Sequence, residues 1–298
     1  MADSRADLTS RVLPTIVLGA GTHPALQASD PYHPRADPNP AVERFKVSGV
    51  AIVAGGAGDL GTTATRALLE HGVEKVAIFD VVPQDTADDI IKEHQLRFPF
   101  AIFQYHRVDI TDDKGVKEAV NEVRERLGSI NILLNFVGIV CCEHAIGQPL
   151  DSWRRTIDVN TTGSFIIAQA VAQSMAAAGL GGSIILVASI SGSRVNFPQP
   201  QAAYNASKAA VIMMMNCLAV EWAQHGIRVN TISPGYMNTI LNEGEGLDEA
   251  RKAWFGRNPM GRIGEREELS GAVVLLASRA GSYITGADIV VDGGQSLL

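Results

Sequence analysis

An α/β fold, a doubly wound sheet of about seven parallel strands with helices on both faces, is predicted by three features of the 298-residue sequence. Short apolar, β-rich runs alternate with longer helical patterns from Val47 onward. The runs are nearly continuous in Val, Ile, Leu and Ala, as strands buried on both faces require. A crowd of glycines, "VAGGAGDLG", joins the first run to the first helical pattern.

Taken in order, "GVAIVAG" is strand one and a helix follows from about Leu60 to His71. "KVAIFD", "FAIFQYH", "NILLNFVG", "SIILVAS", "IRVNTIS" and "ADIVVDGG" supply strands two to seven. Between them, "DKGVKEAVNEVRERLG", "SWRRTIDVNTTGSFIIAQAVAQSMAAAG", "AAYNASKAAVIMMMNCLAVEWAQHG" and "REELSGAVVLLASRAG" read as helices, several ending in the glycine that tolerates a left-handed stop. No internal repeat and no second linker interrupts residues 47–298, which are expected to form one domain. Residues 1–46 differ in chemistry: six prolines from Pro14 to Pro40 mark an extension, expected to drape over its own domain or a neighbouring subunit.

Composition removes several function classes. The net charge of −7 is interspersed rather than blocked, so neither a nucleic-acid nor an anionic-membrane surface is expected. No run reaches the apolar length of a membrane span. "RVLPTIVLGAG" is broken by Pro14, unlike a secretory signal, and the early Asp3 and Asp7 do not suit an organelle presequence. Three cysteines, with Cys141 and Cys142 adjacent, form no disulfide framework or metal spacing, so no metal and a cytoplasmic location are expected.

Gly55, Gly58 and Gly61 follow strand one and open a helix, the context of a dinucleotide-binding turn in a Rossmann sheet. Glycine admits close backbone approach, and the free amides at the helix start attract a pyrophosphate. A tight turn without ligand explains the same pattern. The second half of the signal is Asp80, at the end of strand two, where a carboxylate can accept from the adenosine ribose hydroxyls. That carboxylate would repel a 2′-phosphate, and Gly58 and Val81 supply no cation to offset it, so NAD is favoured over NADP. Asp109 is a candidate for the adenine edge and equally a loop Asp or helix cap.

"YNASK" stacks Tyr204 and Lys208 one helical turn apart on one face. An adjacent ammonium favours the ionised phenol, which makes Tyr204 a plausible proton shuttle. With these pieces in order, together with "LLNFVG", "DVNTTGSF", "VASISG", "VNTISPGYMNT", "NPMGRIGEREEL" and "VDGG", residues 47–298 resemble the nicotinamide-dependent short-chain dehydrogenase/reductase family. The leader, "GGAGDLG" and "VASISGSRVNFPQPQAAYNASKAA" look most similar to its fungal sugar-alcohol and ketose members.

The resemblance implies Tyr204 as general acid or base and Lys208 as the group that lowers its pKa and holds the nicotinamide ribose. It implies Ser189, in preference to Ser191, on the substrate oxygen, and Asn160 holding a water. It also assigns Gly55, Gly58, Asp59, Leu60, Gly61, Asp80, Asn135, Gly138, Pro234, Gly235 and Thr239 to the coenzyme, and residues 240–259 to a mobile substrate loop. Three departures stand out: Ala54 replaces a Thr, Asp59 replaces a Gly, and "NFVG" replaces "NNAG". Asp59 is expected to cap the helix that starts at Leu60, and His144 to be a polar loop residue or a substrate contact.

The expected activity is hydride transfer between NAD(H) and a secondary alcohol or ketone, a polyol or ketose in the first instance. The alternatives are a biosynthetic ketoreductase for a larger apolar ketone and a catalytically silent dinucleotide-binding relative. The small-molecule substrate is the expected partner, together with further copies of the chain: "VIMMMNCLAVEW" is apolar around its circumference, which predicts a homotetramer or homodimer.

Overall fold

Strand β1 (Val50–Ala54) is buried at all of its positions, and its alternate side chains enter two different cores. Ile52 and Ala54 belong to one, Ala51 and Val53 to the other, as a strand covered on both faces must arrange them. The computed structural model describes residues 14–18, 23–26, 40–242 and 244–298. Around β1 a seven-stranded, wholly parallel sheet is built from β2 (Lys75–Asp80), β3 (Ile102–Arg107), β4 (Ile130–Asn135), β5 (Gly182–Val187) and β6 (Ile227–Pro234). A two-stranded pair, β7 (Met237–Asn238) with β8 (Gly264–Glu265), precedes the last sheet strand, β9 (Asp288–Val291). The sheet order is β3-β2-β1-β4-β5-β6-β9, so the order reverses beside β1 and opens a crevice at the strands' carboxyl ends.

A short helix α1 (Pro40–Phe45) leads into the sheet, followed by α2 (Asp59–Glu70), α3 (Gln84–Arg97) and α4 (Asp113–Leu127). Then come α5 (Leu150–Ile157), α6 (Ser164–Ala178), α7 (Ala202–Trp222), α8 (Asp248–Gly256) and α9 (Ser270–Ala277). One core packs Val116 and Val123 of α4, Val171 and Met175 of α6 and Val211 and Met215 of α7 against Ile52, Leu133 and Ile184. The other packs Ala67 and Leu68 of α2 and Val273 and Leu276 of α9 against Val53, Ile132 and Ile185.

The predicted elements recur with four physical corrections. The edge strands β3 and β9 are only half-buried, because each lacks a neighbour on one side. The long helix read through "DVNTTG" is broken by a π-helical turn, Asp158–Gly163. Residues 240–259 are not a bare loop: they hold two 3₁₀ turns and α8, with Glu243 outside the described residues. Finally, α2 begins at Asp59 itself, with Gly58 as its N-cap and no side-chain capping bond.

Most of the leader lies outside the described residues. The short segment His23–Leu26 lies at the amino-terminal end of β5 and β6, where a Cβ on Gly226 would come within 2.4 Å of His23 Nδ1 and one on Gly181 within 2.8 Å of Ala25.

Candidate active site

The glycine turn is locked to its own surroundings at three of its positions. Gly55 has φ +70, and a Cβ there would meet the Phe136 carbonyl carbon at 2.9 Å. A Cβ on Gly61 would meet the Gly55 carbonyl oxygen at 2.1 Å, and one on Gly56 the Val53 oxygen at 2.8 Å. Gly58 differs: its φ is −80 and a Cβ would meet nothing closer than 3.5 Å. The chain itself does not demand a glycine there, so the bare backbone is free for close approach from outside, beside the unpaired first-turn amides of α2.

Asp80 closes the turn from below: Oδ2 accepts from the Ala57 amide at 3.0 Å and Oδ1 from the Val81 amide at 2.8 Å. Sequence reading missed its neighbour. Arg107 sits opposite Asp80 in the β2–β3 register and donates through Nε to the Val81 carbonyl at 3.2 Å, so a cation does stand near this carboxylate. Asp59 does not cap α2; its carboxylate turns outward, accepting from the Ile240 amide at 2.9 Å and pairing with Arg266 at 2.9 Å. The negative charge that Asp59 adds beside the glycine turn is thereby matched by a guanidinium. Asp109 is spent on Thr111, accepting from its amide at 2.9 Å and its hydroxyl at 2.8 Å, and these bonds hold its carboxyl below the usual range.

At the other end of the crevice, the π-helical turn presents Asn160, fully buried. Its Oδ1 accepts from the Ile139 amide at 2.8 Å, and Nδ2 donates to the Ile139 carbonyl and to Ser207 Oγ, both at 2.9 Å. Asn135, after which β4 ends, likewise turns inward: it donates to Ser164 Oγ at 2.9 Å and accepts from the Val137 amide at 3.2 Å. Both asparagines therefore shape the turn that carries Gly138, where a Cβ would lie 3.3 Å from Lys208 Nζ.

Lys208 is buried and donates to the Val187 carbonyl at 2.7 Å; with no carboxylate to compensate, burial pushes its pKa down to about 8. Its Nζ lies 5.7 Å from the centre of the Tyr204 ring. Burial also pushes the Tyr204 phenol up, to about 12, while a hydrogen bond with Ser189 pulls in the opposite direction. This reverses the expectation that the ammonium alone would make the phenol more acidic: at this separation desolvation wins. Ser189 donates to Ser191 Oγ at 3.0 Å and accepts from the Ser191 amide at 3.1 Å, and both serines line one cavity with Tyr204.

Ser189, Tyr204 and Lys208 face a cavity of about 280 Å³ whose wall includes Gly138, Pro234, Gly235 and Thr239. A family model described as enoyl-(acyl carrier protein) reductase matches residues 55–296. A solved short-chain type dehydrogenase/reductase from Mycobacterium marinum superposes with a TM-score of 0.80 at 38% identity, covering 85% of this chain and 98% of that one. The chain belongs to the short-chain dehydrogenase/reductase family.

This dehydrogenase is 39% identical over 269 residues to the ribulose-forming D-arabinitol 2-dehydrogenase of Scheffersomyces stipitis, covering 85% of this chain and 96% of that one. It is 34% identical over 278 residues to a sorbose reductase of Candida albicans, covering 92% and 96%. A probable NADP-dependent mannitol dehydrogenase of Yarrowia lipolytica is 35% identical over 260 residues, covering 85% and 90%. The chain is thus an oxidoreductase that moves hydride between a nicotinamide coenzyme and a secondary alcohol or ketone. The Gly58 backbone, the α2 amides and the cavity beside Tyr204 fit such a dinucleotide.

Much of the rest of the cavity wall comes from side chains that the sequence reading did not single out. Asn196, Gln199, Tyr236 and Trp254 line the cavity, as does Cys142, whose sulfur accepts from Gln201 Nε2 at 3.0 Å. All of these lay in segments the sequence reading had noted, Asn196 and Gln199 in "VASISGSRVNFPQPQAAYNASKAA" and Trp254 in the substrate loop 240–259, but none was singled out as a site residue. His144 is exposed and lies outside the cavity lining. Among the described residues no cluster of three metal-ligating side chains occurs, and no helix is long and apolar enough to cross a membrane.

Proposed function

We propose that this dehydrogenase interconverts a polyol and a ketose with NAD(H), using Tyr204, Ser189, Lys208 and Asn160. The reading is carried by the convergence of Ser189, Tyr204 and Lys208 on one cavity beside the glycine turn. Bound there, the nicotinamide coenzyme would deliver or accept the hydride. In reduction, the protonated Tyr204 phenol donates its proton to the substrate oxygen while Ser189 holds that oxygen. In oxidation the same phenol must lose its proton first, and the Lys208 ammonium beside the ring favours the resulting phenolate over what burial alone allows. Asn160, through its bonds to Ile139, also positions the Gly138 turn against Lys208, and its water-holding role is part of this proposal.

Asp80 supports NAD(H), since its carboxylate stands at the end of β2 where a ribose would lie. Arg107 favours a second reading, NADP(H), which the NADP-dependent name of the mannitol relative also supports. A panel of polyols and ketoses with NAD(H) and NADP(H), followed at the nicotinamide absorbance, decides both points. Turnover with D-arabinitol or L-sorbose supports the substrate class, and turnover confined to bulky apolar ketones favours the ketoreductase reading. Cofactor binding without any turnover favours the silent relative.

A homotetramer or homodimer is proposed on exposed apolar positions of adjoining helices: Met213 and Val220 of α7 and Phe165 of α6. A monomeric mass by light scattering would overturn it. The cytoplasmic location and the leader's draping role remain part of this proposal, to be checked by imaging a tagged full-length chain and by mass measurement after deleting residues 1–39.

A further inference from the structure

The phenol of Tyr236 is the meeting point of three chain segments. Its ring stacks on Trp254 with centroids 4.0 Å apart and planes at 11°. Gln199 Nε2 donates to its oxygen at 2.8 Å and Asn196 Nδ2 donates at 3.1 Å. Gln199 is itself oriented by Trp254, whose indole nitrogen donates to Gln199 Oε1 at 3.2 Å. The Trp254 side chain is buried, so the whole assembly is held from behind.

A phenolic oxygen has two acceptor sites and one proton. Both acceptor sites of Tyr236 are taken by amides, which forces the O–H to point elsewhere. Among the described residues no acceptor receives that proton. Buried phenols ordinarily find one, so an unspent donor on a cavity wall marks a place for a ligand oxygen. Burial also raises the Tyr236 pKa, which keeps the donor protonated. The Asn196 amide that donates to Tyr236 has its own oxygen buried and without a partner. The Tyr236 donor fits a second oxygen on the substrate, which a ketone or alcohol carrying only its reacting oxygen does not offer.

We propose that Tyr236, oriented by Asn196 and Gln199, reads a substrate hydroxyl beyond the reacting carbon and so selects polyhydroxy substrates over monofunctional ones. The inference rests on the cavity being the hydride-transfer site. It adds the group that sets substrate class without entering the chemistry.

The test is Tyr236→Phe, which keeps the ring stack and removes the donor. We expect kcat/KM for a polyhydroxy ketone such as L-sorbose to fall ~10- to 100-fold, and that for cyclohexanone to stay within about twofold, because only a hydroxyl-bearing substrate loses a bond at a buried polar site. Gln199→Ala should show the same selectivity, more weakly. Equal losses on both substrates, or no loss on L-sorbose, would overturn the proposal. Equilibrium binding of D-arabinitol and cyclohexanol, measured by calorimetry on the coenzyme-loaded protein, reads the same contact without turnover. An enzyme that binds D-arabinitol selectively through Tyr236 yet turns nothing over would sink the proposed activity and leave this inference standing. Binding of both alcohols unchanged by the substitution would sink the inference alone.

Discussion

The two ends of the crevice spend their polar groups differently. At the glycine turn, Asp80, Asp59 and Asp109 are all satisfied by the protein's own amides, hydroxyls and guanidinia. At the cavity, the half-buried Tyr204 and the buried Lys208 have their charged forms disfavoured, and Tyr236 keeps an unspent proton. The first end is a finished surface whose task is to be shaped. The second carries unfavourable burial that a ligand can relieve, which is where perturbed groups gather when chemistry is performed. The two sets thus stand beyond the carboxyl ends of β1 and β5, with β4 between them.

The comparison breaks most visibly at Tyr204. Tyr204→Phe should lower kcat by ~10²- to 10⁴-fold while coenzyme binding, read by fluorescence titration, stays close to wild type. Loss of binding with unchanged turnover per bound site would merge the two ends into one.

Lys208 gives the next largest effect, of order 3 kcal/mol in stability over its full titration. Its pKa is lowered from 10.5 to about 8 in the folded protein, so between these values the unfolded chain binds more protons. Stability contributed by this position therefore rises with pH from about 8 toward 10. Below pH 8 the buried ammonium carries its full cost. Urea unfolding of wild type and Lys208→Met should show the wild type gaining on the variant as pH climbs through that window. Work above pH 10 adds the opposing trend of Tyr204, whose raised pKa makes folding less favourable as the unfolded phenol ionises.

The glycines sharpen the contrast within the turn itself. Gly55→Ala forces a left-handed residue and a 2.9 Å contact with the Phe136 backbone, so thermal or urea unfolding should register a loss of ~2 kcal/mol. Gly58→Ala should leave stability within about 0.5 kcal/mol, since Ala fits there, and should instead weaken coenzyme binding several-fold. Equal behaviour of the two variants would remove the argument that Gly58 is kept for a ligand.

Asp80 bears on the choice of coenzyme alone. Asp80→Asn keeps an acceptor for the Ala57 amide and removes charge, so the NADH-to-NADPH preference should move toward NADPH by ~10-fold, about 1.4 kcal/mol. A preference that stays fixed would assign the choice to Arg107.

Period and composition made the sheet legible, because strands buried on both faces and helices with one apolar stripe leave their marks in consecutive residues. β3 misled only in its burial: being an edge is a property of the strand order, which no local pattern contains. Tyr204 and Lys208 were legible through the one-turn spacing of "YNASK", and Ser189 only through the family resemblance. Asp59 was misread, since its partners Ile240 and Arg266 lie about 180 and 207 positions away and only the tertiary fold brings them close. The same holds for Asn196, Gln199, Tyr236 and Trp254, drawn from three segments with no shared signature. The direction of the Tyr204 shift was missed because it depends on depth and on the 5.7 Å separation, which an i,i+4 spacing does not report.

The π-helical turn at Asp158–Gly163 has one more implication. A widened turn holds an extra residue relative to a regular α-helix, where each residue advances the side-chain direction by about 100°. Excising Thr162 should let the segment rewind, swinging Asn160 out of register with both polar atoms of Ile139 and unmooring the wall in front of Lys208. Deleting that single codon, two positions from Asn160, would then silence the enzyme more thoroughly than many substitutions inside the cavity.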